Sequence, residues 1–154
     1  MALTRMRIEA EVLVPQALTD VWDFLSDPKN SELWDKSVAS IEPVDTRPVG
    51  LGWEGTTTAP SGMRQSFRIS RWEPPKAFAF QLQQSSMFRE AELSFHLEPT
   101  AGEVLILHRL DLQLRNVLLY PVLRLTAKRA LGADLQSLKD WLAKTYPSGR
   151  EQRS

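Results

Sequence analysis

Residues 63–114 read MRQSFRISRWEPPKAFAFQLQQSSMFREAELSFHLEPTAGEVLILHRLDLQL, and the alternation within them decides the architecture. Apolar residues recur at every second position in four runs, Met63–Trp72, Ala77–Gln83, Phe88–Glu98 and Glu103–Leu114. A period of two marks a half-buried strand. Met63, Phe67 and Ile69 share one face of the first run, and Phe78, Phe80 and Leu82 one face of the second. Ala91, Leu93, Phe95 and Leu97 follow in the third, then Val104, Ile106, Leu110, Leu112 and Leu114 in the fourth. Pro74-Pro75 and Pro99-Thr100-Ala101-Gly102 supply turn chemistry between runs. Connections this short cannot cross over a sheet, so the strands are expected to be antiparallel.

Upstream, Val38–Glu42 and Gly52–Thr58 extend the same pattern, and Arg7–Val14 alternates with Ile8, Ala10, Val12 and Val14 on one face. Between them, Gln16–Ser26 forms an amphipathic helix: Ala17, Leu18, Val21, Trp22, Phe24 and Leu25 face inward, and Gln16, Thr19, Asp20, Asp23 and Ser26 outward. Asp27-Pro28 ends it, and a second short helix is expected over Pro28–Trp34. Downstream, Pro121–Tyr146 has helical periodicity and spans about 40 Å at ~1.5 Å per residue. The expected fold is therefore α+β: a curved, seven-stranded antiparallel sheet wrapped around a long C-terminal helix, with two short helices after the first strand. Residues 1–146 form one domain, and 147–154 a flexible polar tail.

The chain has 154 residues, no cysteine, and 19 acidic against 19 basic side chains. A domain of this size buries roughly 70% of the surface its unfolded chain exposes and needs no disulfide or metal staple. Zero net charge argues against nucleic acid as a partner. Arg124, Lys128 and Arg129 are either a solvated helix face or a local basic patch. The most apolar stretch, Val117–Leu125, falls short of the ~20 residues that span a bilayer. No secretory signal opens the chain, and a soluble, cytoplasmic protein is expected. No cofactor or metal is called for.

Val21-Trp22-Asp23-Phe24-Leu25-Ser26-Asp27-Pro28, then Trp34-Asp35, Val49-Gly50-Leu51-Gly52 and Leu138-Lys139, occur in an order that resembles the START/Bet v1-like superfamily. The likeness covers residues 6–146 and points to the bacterial polyketide cyclase/dehydrase-type branch. It implies a helix-grip fold with a cavity between sheet and last helix that holds a small hydrophobic molecule such as a lipid, quinone or polyketide. An aromatic-rich run that marks the quinone-chaperone branch is replaced here by Lys29-Asn30-Ser31-Glu32-Leu33-Trp34.

Catalytic signatures such as G-x-S-x-G or H-E-x-x-H are absent. Two polar residues nevertheless fall on apolar faces. His108 shares the parity of Ile106 and Leu110 and should point inward, whereas His96 shares that of Glu92, Ser94 and Glu98 and should meet solvent. Asp134 lies about 20° from Leu123 on the helical wheel at ~100° per residue, inside the apolar arc. His108 is about 20 Å back from Leu114 along a strand, and Asp134 about 20 Å beyond Pro121 along the helix. If the helix folds back along the last strand, the carboxylate could hold the imidazole in one tautomer and raise its basicity. That pair would be an acid–base couple or a polar anchor. The alternatives are a satisfied core histidine and an aspartate that is hydrated or paired with an arginine. Gln65 is a third polar candidate. The expected cavity wall comprises Phe67, Ile69, Phe78, Phe80, Phe95, Ile106, Leu110, Ala127, Leu131 and Leu138. Asn116–Leu123 is either a gate to that cavity or a plain connector. Three functions stay open: a carrier of a hydrophobic molecule, a cyclase/dehydratase-type enzyme using His108 and Asp134, and a protein-interaction module with a collapsed cavity.

Overall fold

The computed structural model describes residues 5–83 and 85–147. Apart from Pro147, the expected polar tail lies outside them. Strand β1 (Arg5–Val14) leads into α1 (Leu18–Leu25), a single 3₁₀ turn (Pro28–Asn30) and α2 (Ser31–Trp34). Six strands follow: β2 (Ser40–Pro43), β3 (Glu54–Thr58), β4 (Arg64–Glu73), β5 (Ala77–Gln83), β6 (Phe88–Thr100) and β7 (Glu103–Leu114). A 3₁₀ turn (Val117–Leu119) then starts α3 (Tyr120–Thr145). The sheet order is β1-β7-β6-β5-β4-β3-β2 and every neighbouring pair is antiparallel. This is the expected helix-grip architecture.

The alternation survives because turns and bulges keep its phase. Ala101 and Gly102 both adopt positive φ between the paired Thr100 and Glu103, the two-residue hairpin geometry that matches strand twist. In β4 the register shifts between Ile69 and Arg71, so that Ile69 faces Phe80 while Trp72 faces Phe78. This bulge turns Trp72 inward, where its ring meets Trp22 edge-on at 5.1 Å. A second shift between Phe88 and Glu90 leaves Phe88 opposite Leu114.

Leu131, Leu135, Leu138 and Leu142 are buried on α3 at helical spacing. The last three join Val14, Phe95, Leu97 and Ile106 in the main core. Each such leucine contributes roughly 1.5–3 kcal/mol by leaving water. The short helices are fastened to the far edge of the sheet. Glu32 Oε2 accepts from Ile41 N at 2.8 Å and from Lys29 Nζ at 2.9 Å, and Lys29 Nζ also donates to the Ile41 carbonyl.

One sequence expectation fails in α1. The helix begins at Leu18, so Gln16 never takes its outward place on the wheel. It is buried instead and donates through Nε2 to the Tyr146 carbonyl at 3.1 Å, tying the start of α1 to the end of α3.

Candidate functional site

The main core fills one part of the space between sheet and α3. Beside it the two diverge, and α2 with the segment after it forms a third wall. The result is a cavity of about 340 Å³, within the ~300–1,000 Å³ usual for small-molecule sites. Phe67, Ile69, Phe78, Phe80, Phe95 and Leu110 line it from the sheet, and Ala127, Ala130 and Leu131 from α3. Trp34 and Val38 close the α2 side. Two expected wall residues are elsewhere: Ile106 and Leu138 are fully buried in the packed core, where helix and sheet touch. Met63, expected on the inward face of β4, precedes that strand and is 66% exposed at the cavity's rim.

His108 stands on β7 between Phe95 of β6 and Ala10 of β1. Its ring stacks on Phe95 with centroids 4.0 Å apart and planes 5° from parallel. Nδ1 lies 3.2 Å from the Ser94 carbonyl oxygen. A carbonyl only accepts, so Nδ1 carries the proton and Nε2 of the neutral ring is a bare lone pair. Burial pushes the imidazole pKa down to about 4, against a smaller upward pull from the Ser94 carbonyl. His96, by contrast, is half-buried on the outer face, its Nε2 3.4 Å from an Arg71 guanidinium nitrogen.

Asp134 is buried on α3 and lines the cavity. Its Oδ1 accepts from Lys36 N at 3.2 Å. Asp35, one residue earlier, accepts through Oδ1 from Ser37 N at 2.9 Å and from Ser37 Oγ at 2.6 Å. The turn after α2 thus presents consecutive N–H groups to two cavity carboxylates. Burial, then the charge of Asp35, raise Asp134 to about 6, while the Lys36 N–H opposes the rise. Desolvation also raises Asp35. Two carboxyl groups this placed do not both ionise freely.

The expected His108–Asp134 couple is not formed. The imidazole is oriented by Ser94 and the carboxylate by Lys36, and the histidine is made less basic, not more, because burial penalises the cation. Among the described residues no arginine pairs with Asp134. Asp35 was missed as a site residue, since one aspartate in a loop has no periodicity to reveal it. Gln65 does line the cavity, but its amide N–H groups are spent on the sheet: Nε2 donates to the carbonyls of Ser66 and Gln83.

A family described as "Polyketide cyclase / dehydrase and lipid transport" matches residues 5–144. No curated protein sequence matches the chain. Among solved structures, the di-domain ARO/CYC StfQ from the steffimycin biosynthetic pathway superposes with a TM-score of 0.76 at 14% identity, over 94% of this chain and 52% of that one. The chain therefore spans about half the length of that protein. A START superfamily protein from Mycobacterium smegmatis gives 0.74 at 15% identity, covering 90% and 98%. Norcoclaurine synthase from Thalictrum flavum, in complex with dopamine and hydroxybenzaldehyde, gives 0.72 at 14%, covering 91% and 87%. At these identities the likeness is one of fold.

Proposed function

We propose that this chain, which belongs to the polyketide cyclase/dehydrase and lipid transport family, binds one small, mainly apolar molecule in the cavity between sheet and α3. The observation that carries this reading is the cavity itself, a space of about 340 Å³ walled mainly by aromatic and aliphatic side chains. Water gains little in such a space, whereas an apolar ligand leaves water by entering it. The polar groups support a ligand that carries oxygen or N–H. His108 Nε2 accepts a hydroxyl or amide hydrogen. Asp134, protonated below about pH 6, donates to a carbonyl or hydroxyl oxygen. A ring system or acyl chain bearing one or two oxygens satisfies both.

A second reading, cyclase/dehydratase-type catalysis on a polyketide-like or aromatic substrate, is favoured by one feature: a carboxyl held near pKa 6 beside another carboxylate. Asp134 would then deliver a proton to a departing or developing oxygen, and His108 would serve as a hydrogen-bond acceptor because it is too weakly basic to abstract. Native mass spectrometry of the purified protein tests binding: a small apolar molecule, released by organic extraction, is expected on the intact chain. Turnover of a candidate substrate that is lost in Asp134→Asn while binding persists would select the enzyme reading.

A further inference from the structure

The first half of α3 is apolar on both faces. Leu123, Ala127 and Leu131 pack inward, yet Val122 and Leu125 stand 67% and 57% exposed, as does Leu118 of the preceding turn at 82%. Val122 and Leu125, with Arg129 four residues on, share one face of the helix. Val117 and Leu119 add exposed surface in the preceding turn. Met87, also exposed, belongs to the same end of the molecule: its carbonyl accepts from Arg115 N at 3.2 Å. Single exposed leucines need no explanation, but a contiguous cluster does.

Charge distinguishes the occupant. The chain as a whole is neutral, yet residues 112–133 contain Arg115, Arg124, Lys128 and Arg129 and no aspartate or glutamate. All four cations are exposed. An apolar ridge on a segment whose only charged residues are cations is the chemistry of a helix that lies in the headgroup region of an anionic membrane. We propose that this surface docks the protein on anionic lipid bilayers. Ala127 and Ala130, one to two turns further along α3, line the cavity. Docking therefore brings the cavity close to the membrane, where an apolar molecule can exchange with little exposure to water. Docking itself needs no ligand, although its use in delivering one rests on the proposed function.

Co-sedimentation of the ligand-free protein with vesicles tests this. Vesicles of phosphatidylcholine with about 30% phosphatidylglycerol are expected to bind, pure phosphatidylcholine much less, and salt near 1 M to weaken the anionic case by shortening the screening length to ~3 Å. The triple variant L118D/V122D/L125D should lose at least about tenfold in binding, and K128Q/R129Q about tenfold. These positions are exposed, so circular dichroism and melting temperature should match the parent. Vesicle binding that is absent, or unchanged in the triple variant, overturns the proposal. So does concentration-dependent self-association that the triple variant abolishes without any vesicle binding, since the ridge would then be covered by a second copy. Cavity-ligand binding measured in parallel separates the two readings: retained without vesicle binding, it removes docking alone; lost with vesicle binding intact, it removes the cavity function alone.

Discussion

A buried imidazole whose hydrogen-bond partner is a carbonyl takes up a second proton only at a cost. In the fold His108 protonates near pH 4, whereas an unperturbed histidine does so near 6.5. Between these values the unfolded chain binds the extra proton, so stability rises with pH and is fully present above about 6.5. At ~1.4 kcal/mol per pH unit the difference amounts to roughly 3 kcal/mol. Relative to His108→Gln, the parent should gain stability of that order between pH 4 and 7 in urea titrations; a constant offset would mean that His108 is hydrated and titrates normally. Asp134 has the opposite sign. Its folded pKa is raised, from 3.8 to about 6, so the fold binds the proton and stability is lost as pH rises through that window. Relative to Asp134→Asn, the parent should therefore lose stability from pH 4 to 6.5. The inward aim of His108 was legible, because parity along a strand is strict. Its isolation from Asp134 was not. Depth along two elements fixes neither the lateral offset between them nor which backbone groups intervene.

Sequence period locates the long elements, whereas local contacts decide their ends. The long helix, expected over 121–146, is found over Tyr120–Thr145. Gln16 departs from its expected outward place because the chain after Pro15 turns inward before α1 starts at Leu18. Ile106 and Leu138 lie in the core and not in the expected cavity wall, and parity and hydropathy are the same for both places. What separates them is where α3 leaves the sheet. Packing around β3 makes a test at this scale. A Cβ on Gly55 of β3 would lie 2.8 Å from the Trp53 ring and 3.0 Å from Phe67 Cζ. Both rings are buried and packed on each other. Gly55→Ala is expected to destabilise by roughly 1–3 kcal/mol through overpacking, read from the denaturation midpoint. A neutral effect would mean that these rings have room to move.

At the scale of the whole molecule, α3 meets the sheet in packed clusters toward both of its ends, and the space left open is the cavity beside β4 to β6. No helix among the described residues is long and apolar enough to cross a membrane. Leu135, Leu138 and Leu142 hold α3 against the sheet, while Ala127 and Ala130 stand where larger side chains would otherwise meet the aromatics of β4 to β6. That contrast separates a binding protein from an interaction module with a collapsed interior, and the measurement that tests it most directly is a fluorescence titration with 1-anilinonaphthalene-8-sulfonate, comparing the parent with Ala127→Phe. Saturable one-to-one binding by the parent, weakened at least about tenfold by a substitution that leaves stability within about 1 kcal/mol, is the result expected when a side chain fills a void. Equal binding by both proteins, or an Ala127→Phe variant destabilised by a few kcal/mol, would show that the space beside Ala127 is already packed and would contradict the account.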